Sequence, residues 1–144
     1  MNNNGVPSDL IPVNLLPAQP GIFTVDGSSG AILHVSNFQL VTSSNPAAKG
    51  EVVAIYATGL GPVSPAPRTG ASASASPFLS RTVSTPSVTV GGSDAAMGFS
   101  GLAPGFVGLY QVNMTIPADA PSGSVDVVIQ VAGQASKPVK LAIQ

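Results

Sequence analysis

Apolar residues recur at every second position in several short stretches of this chain. The clearest is Leu109–Ile116: Tyr110, Val112, Met114 and Ile116 point one way and Gln111, Asn113 and Thr115 the other. Side chains of an extended strand alternate between its two faces, so this pattern predicts a half-buried strand. Ser124–Ala132 repeats it, with Val125, Val127, Ile129 and Val131 inward and Asp126 and Gln130 outward. Val139, Leu141 and Ile143 make a last strand with Lys140 outward. Val88 and Val90 form another, Gly91-Gly92 with Ser93-Asp94 turns it, and Ala95, Met97 and Phe99 are expected on one face of the strand that follows.

One stretch is apolar on both faces. Val52–Ala57 within EVVAIYATGLGP is stopped by Thr58-Gly59-Leu60-Gly61-Pro62. A short run bounded by Gly and Pro predicts a buried central strand, with Tyr56 as its largest buried side chain. Towards the N-terminus, Ile11, Val13 and Leu15 alternate with Pro12 and Asn14. Because Pro12 cannot donate to a ladder, Leu10–Leu16 is expected at a sheet edge. Ile22–Val25, Ile32–Ser36 and Phe38–Val41 add short extended pieces. No stretch carries a capped helical period. About seven to eight short strands separated by Gly or Pro predict an all-β antiparallel sandwich over residues 10–144, preceded by a flexible segment at residues 1–9.

Composition narrows the function classes. Of 144 residues, 44% are hydrophobic, so a packed core is available, yet only 8% are charged against about 25% in average proteins. The surface is therefore dressed with Ser, Thr, Asn, Gln and Gly, as in many exported modules. Five Lys and Arg in a chain of net charge −1 do not make a phosphate-binding patch, which argues against nucleic acid. No run of about 20 apolar residues exists to insert in a membrane. The opening Met1-Asn2-Asn3-Asn4-Gly5 has neither region of a signal peptide, and the chain reads as a piece of a longer exported protein, extracellular or on the cell surface.

Candidate chemistry is sparse. With no Cys and a single histidine, His34, no metal set and no cofactor site is expected. His34 is expected on the less buried side of its strand. Gly98-Phe99-Ser100-Gly101-Leu102 approaches the nucleophile elbow G-x-S-x-G but fails at its last position. The six acids form no calcium loop. The long irregular stretch Ser64–Thr85, with ASASAS at Ala71–Ser76, gathers both arginines and the pair Phe78-Leu79. Arg68, Phe78 and Arg81 are therefore the candidate contact residues, since Arg and aromatics are enriched where proteins grip partners.

Four stretches, in order, carry a resemblance: Pro20-Gly21-Ile22-Phe23-Thr24, NPAAKGEVVAIYATGLGP (Asn45–Pro62), VTVGG (Val88–Gly92) and GLAPGFVGLYQVNMTIPADAPSG (Gly101–Gly123). Together they resemble an uncharacterised C-terminal domain family abundant in Solibacter-type soil bacteria. The resemblance implies an immunoglobulin-like sandwich, similar to IPT/TIG domains, at the end of large exported proteins, and brings no catalytic residues. The expected function is a non-catalytic accessory or adhesion-type module, contacting other domains of its parent protein or cell-surface material. The alternatives are a carbohydrate-binding module, which calls for exposed aromatics, and a small hydrolase built on His34.

Overall fold

A computed structural model describes residues 11–144 together with the backbone of Asn2–Asn3 and Val6–Pro7. Along the chain run β1 (Asn2–Asn3), β2 (Val6–Pro7), β3 (Gly21–Ile22), β4 (Ile32–His34), β5 (Val52–Thr58), β6 (Val63–Ser64), β7 (Arg81–Thr82), β8 (Ser87–Val90), β9 (Ser93–Asp94), β10 (Ala96–Leu102), β11 (Tyr110–Thr115), β12 (Gly123–Val131), β13 (Gln134–Ala135) and β14 (Val139–Ile143). No helix occurs among the described residues. The expected flexible segment at residues 1–9 falls outside them, apart from the small β1–β2 ladder.

Two antiparallel sheets form the sandwich. The larger has seven strands in the order β3-β5-β11-β10-β7-β6, with β4 also paired to β5; the smaller has five, β13-β12-β8-β9, with β14 also on β12. β5 is flanked on one side by β11 and on the other by β3 and β4 in succession, so it is central, as its two apolar faces predict. Val53, Ile55 and Ala57 of β5 meet Val112 and Met114 of β11 and Val127, Ile129 and Val131 of β12 in one aliphatic cluster between the sheets. The inward residues of β11, β12 and β14 are those that the alternation predicts.

The Gly-Leu-Gly turn after β5 has a packing reason. Gly59 and Gly61 have φ of 71° and 89°, in the left-handed region that glycine tolerates. A Cβ on Gly59 would stand 2.0 Å from the Gln19 carbonyl oxygen, and one on Gly61 would stand 2.9 Å from that of Pro17. The incoming chain thus lies directly on the turn, held by the Gln19 amide donating to the Gly59 carbonyl at 2.9 Å. One sheet edge is also covered: Ser28–Gly30 and Ala47 bond to β14, so its outer groups are partnered rather than open to another chain.

The structure corrects three expectations here and a fourth, on His34, below. Ile11–Leu16 forms no ladder, and Ile11, Val13 and Leu15 are 83%, 77% and 93% exposed; packing begins at Ala18, which is buried. Tyr56 is only half-buried, because its strand alternation places it opposite Gln111 on the outer face, while Val53, Ile55 and Ala57 fill the core. Phe99 does not share a face with Met97. The ladder between β10 and β11 shifts register between these two residues, pairing Met97 with Met114 but Phe99 with Asn113. This bulge at Gly98 sends Met97 inward and Phe99 outward, then Ser100 and Leu102 inward and Gly101 outward.

Candidate contact face

The inter-sheet core contains no aromatic ring. All five Phe and both Tyr lie outside it: Phe23, Phe38, Phe78 and Phe106 are exposed, and Tyr56, Phe99 and Tyr110 are partly so. Tyr110 packs against the core from the rim, where its hydroxyl donates to the Gly61 carbonyl and burial pushes its pKa up. Sequence reasoning does not reveal this distribution, because Tyr56 and Phe99 sit in runs that read as core. The signal that could have found it is Gly98, since an isolated glycine inside a strand pattern suggests a bulge.

Strand pairing turns the outward residues into a stripe across the larger sheet. The Phe23 amide donates to the Tyr56 carbonyl, extending β3 by one position; since Ile22 packs on the core, Phe23 faces out beside Tyr56. Tyr56 pairs with Gln111, Gln111 with Gly101 and Gly101 with Arg81. Phe99 leans over Gly101, its Cζ 2.9 Å from where a Cβ would be, and the Arg81 guanidinium carbon lies 5.0 Å from the ring centroid. That separation is within cation–π range. Gln111 Nε2 donates to Asn113 Oδ1 at 2.8 Å, so each amide holds the other in place. A shallow depression of about 280 Å³ lies between Leu79, Arg81, Phe99, Pro104, Gln111 and Asn113.

The three candidate contact residues divide between two places. Arg81 belongs to β7 and joins this stripe. Arg68 and Phe78, the latter 69% exposed, line a separate depression with Pro65, Pro67 and Ser72. The loop that carries them is pinned to the domain. Ala73 is buried, its amide donates to the Phe106 carbonyl at 2.9 Å, and its carbonyl accepts from the Gly105 amide at 2.9 Å.

His34 is buried on the inner side of β4, opposite Val53, and not on the less buried side expected. Its Nδ1 lies 2.5 Å from Glu51 Oε1 and its Nε2 lies 3.2 Å from the Asn45 carbonyl. Both ring nitrogens are occupied by these oxygens, so neither is presented to a serine hydroxyl. Burial works to raise the pKa of Glu51, but the Ala48 amide and His34 outweigh it and hold the carboxyl below its ordinary value. The pair ties the Thr42–Gly50 loop to β4 and β5. Ser100, the near-elbow serine, points inward and accepts a hydrogen bond from the Thr82 hydroxyl at 3.0 Å. Among the described residues no cluster of His, Asp or Glu has the makings of a metal site.

Compared with protein-family models, curated proteins and solved structures, the chain shows no match.

Proposed function

We propose that this chain is a non-catalytic contact module of a larger exported protein, of accessory or adhesion type, and that it works through the outer face of its larger sheet. The carrying observation is the placement of every aromatic ring outside an all-aliphatic core. Small aliphatic residues fill the space between two sheets packed about 10 Å apart. Apart from Tyr110, which packs on its rim, the rings lie outside this layer and leave apolar surface in water, which is the composition of a contact surface. The closed hydrogen bonding of His34 and the inward-pointing Ser100 support the non-catalytic reading over a small hydrolase. The resemblance to immunoglobulin-like C-terminal domains of exported soil-bacterial proteins supports the setting.

The test is co-sedimentation of the purified protein with bacterial cell-envelope material. Tyr56→Ala and Phe23→Ala are expected to weaken binding at least tenfold, while Arg68→Ala and Phe78→Ala leave it within twofold. The reverse pattern would move the contact to the Ser64–Thr85 loop. Equal binding by all four variants would remove both surfaces from consideration.

A further inference from the structure

We propose that the outer stripe of the larger sheet binds an uncharged polysaccharide chain laid across the strands; this rests on the reading of that face as the contact surface. The stripe runs Phe23, Tyr56, Gln111, Phe99 and Arg81, with Asn113 beside Gln111. It crosses four strand spacings of about 4.8 Å each, or about 19 Å, the reach of a short oligosaccharide. Its chemistry alternates along that length. Rings stand at Phe23, Tyr56 and Phe99, and the amides of Gln111 and Asn113 stand between the last two.

A sugar ring presents the same two kinds of surface. Its C–H face is apolar and stacks on an aromatic plate, while its hydroxyls each donate and accept hydrogen bonds at the ring edge. A protein partner would favour continuous apolar surface at the centre of its contact; here the centre of the stripe is an amide pair. One hydrogen bond joins Gln111 to Asn113, which leaves the Gln111 carbonyl as an acceptor and the Asn113 NH₂ as a donor for a ligand. The pair is thereby set before binding, which lowers the ordering cost. Formal charge is limited to Arg81 at one end, where the guanidinium is already stacked over Phe99. An anionic polymer would need several cations along the stripe, and it has one.

Affinity electrophoresis in native gels tests this, with β-glucan, xylan, galactomannan and dextran as neutral probes and polygalacturonate as the anionic one. At least one neutral polysaccharide is expected to retard the wild-type protein. Tyr56→Ala, Phe23→Ala and Gln111→Ala should weaken that retardation at least tenfold, while Gln130→Ala on the smaller sheet should stay within twofold. Melting curves identify any variant that fails to fold, and if Tyr56→Ala does, Phe23→Ala carries the comparison with Gln111→Ala. Retardation by polygalacturonate alone, abolished by salt, would overturn the proposal, as would retardation by no probe. If envelope binding still depends on Tyr56 when no polysaccharide binds, the glycan assignment falls and the contact face stands; if envelope binding is also absent, both fall.

Discussion

Phe99 and Gly101 share the space of one side chain: the Phe99 ring tip lies 2.9 Å from the point a Cβ on Gly101 would occupy. The Ser80 carbonyl oxygen is closer still to that point, at 2.2 Å, and it accepts the Leu102 amide at 2.8 Å. The ring can move aside, but the carbonyl is fixed by the β7–β10 pairing. Gly101→Ala is therefore expected to destabilise the fold by about 1–3 kcal/mol, as overpacking does. Urea denaturation checks it. The double variant Phe99→Ala/Gly101→Ala should remain destabilised relative to Phe99→Ala alone, because the carbonyl clash persists.

Neighbouring residues of β5 should differ sharply. Ile55 is fully buried, and Ile55→Ala is expected to cost about 2–5 kcal/mol. Tyr56 faces outward beside Gln111, and Tyr56→Ala is expected to cost less than about 2 kcal/mol. Denaturation midpoints for the two variants give the comparison. An equal cost would mean that Tyr56 is packed as tightly as the core.

The Glu51–His34 pair predicts a response to acid. A carboxyl whose pKa is lowered in the folded state stabilises the fold above its ordinary value, here 4.5, and loses that contribution as pH falls through the lowered value. Wild-type stability should therefore fall below about pH 4.5 more steeply than that of Glu51→Gln. At neutral pH, Glu51→Gln is expected to cost about 1.5–3 kcal/mol, since it weakens hydrogen bonds made to a charged group. Melting temperature against pH for both proteins measures both effects.

Removing residues 1–16 should leave the melting temperature unchanged within error, because β1 and β2 pair only with each other, Ile11–Leu16 joins no ladder and packing starts at Ala18. It should also reduce self-association, since Ile11, Val13, Leu15 and Leu16 are exposed. An edge strand would behave in the opposite way, its loss uncovering a ladder. Sedimentation velocity and thermal melting of the shortened chain distinguish the two.

The sandwich was legible where one face of a strand is apolar and the other polar. β11, β12 and β14 declare their orientation residue by residue, and the Gly-Pro stop after β5 marks a strand end. Orientation was not legible in β5, where both faces are apolar and only pairing with β11 turns Tyr56 outward. It was misread in β10, where alternation alone carries Phe99 to the core and one unpaired residue, Gly98, reverses it. The Leu10–Leu16 alternation shows the converse: a strand pattern becomes a strand only where an edge takes it up, and Ile11–Leu16 pairs with no edge of the described sheets. The candidate loop was found by its composition, but its three residues were grouped by sequence proximity, whereas β7 carries Arg81 onto the sheet.

The bulge at Gly98 acts as a change of reading frame within β10. Before it, odd-numbered residues answer to the core; after it, even-numbered ones do. Were Gly98 drawn into pairing with Asn113, the frame would not change, and Phe99 and Gly101 would turn inward while Ser100 and Leu102 faced water; removing Gly98 altogether would keep the present faces, because Met97–Met114 and Phe99–Asn113 are already consecutive pairs. The outward chemistry of this strand is thus tied to the ladder passing over one residue, Gly98, and a one-residue slip that drew it into pairing would lose the ring over Gly101 without altering any residue of the stripe.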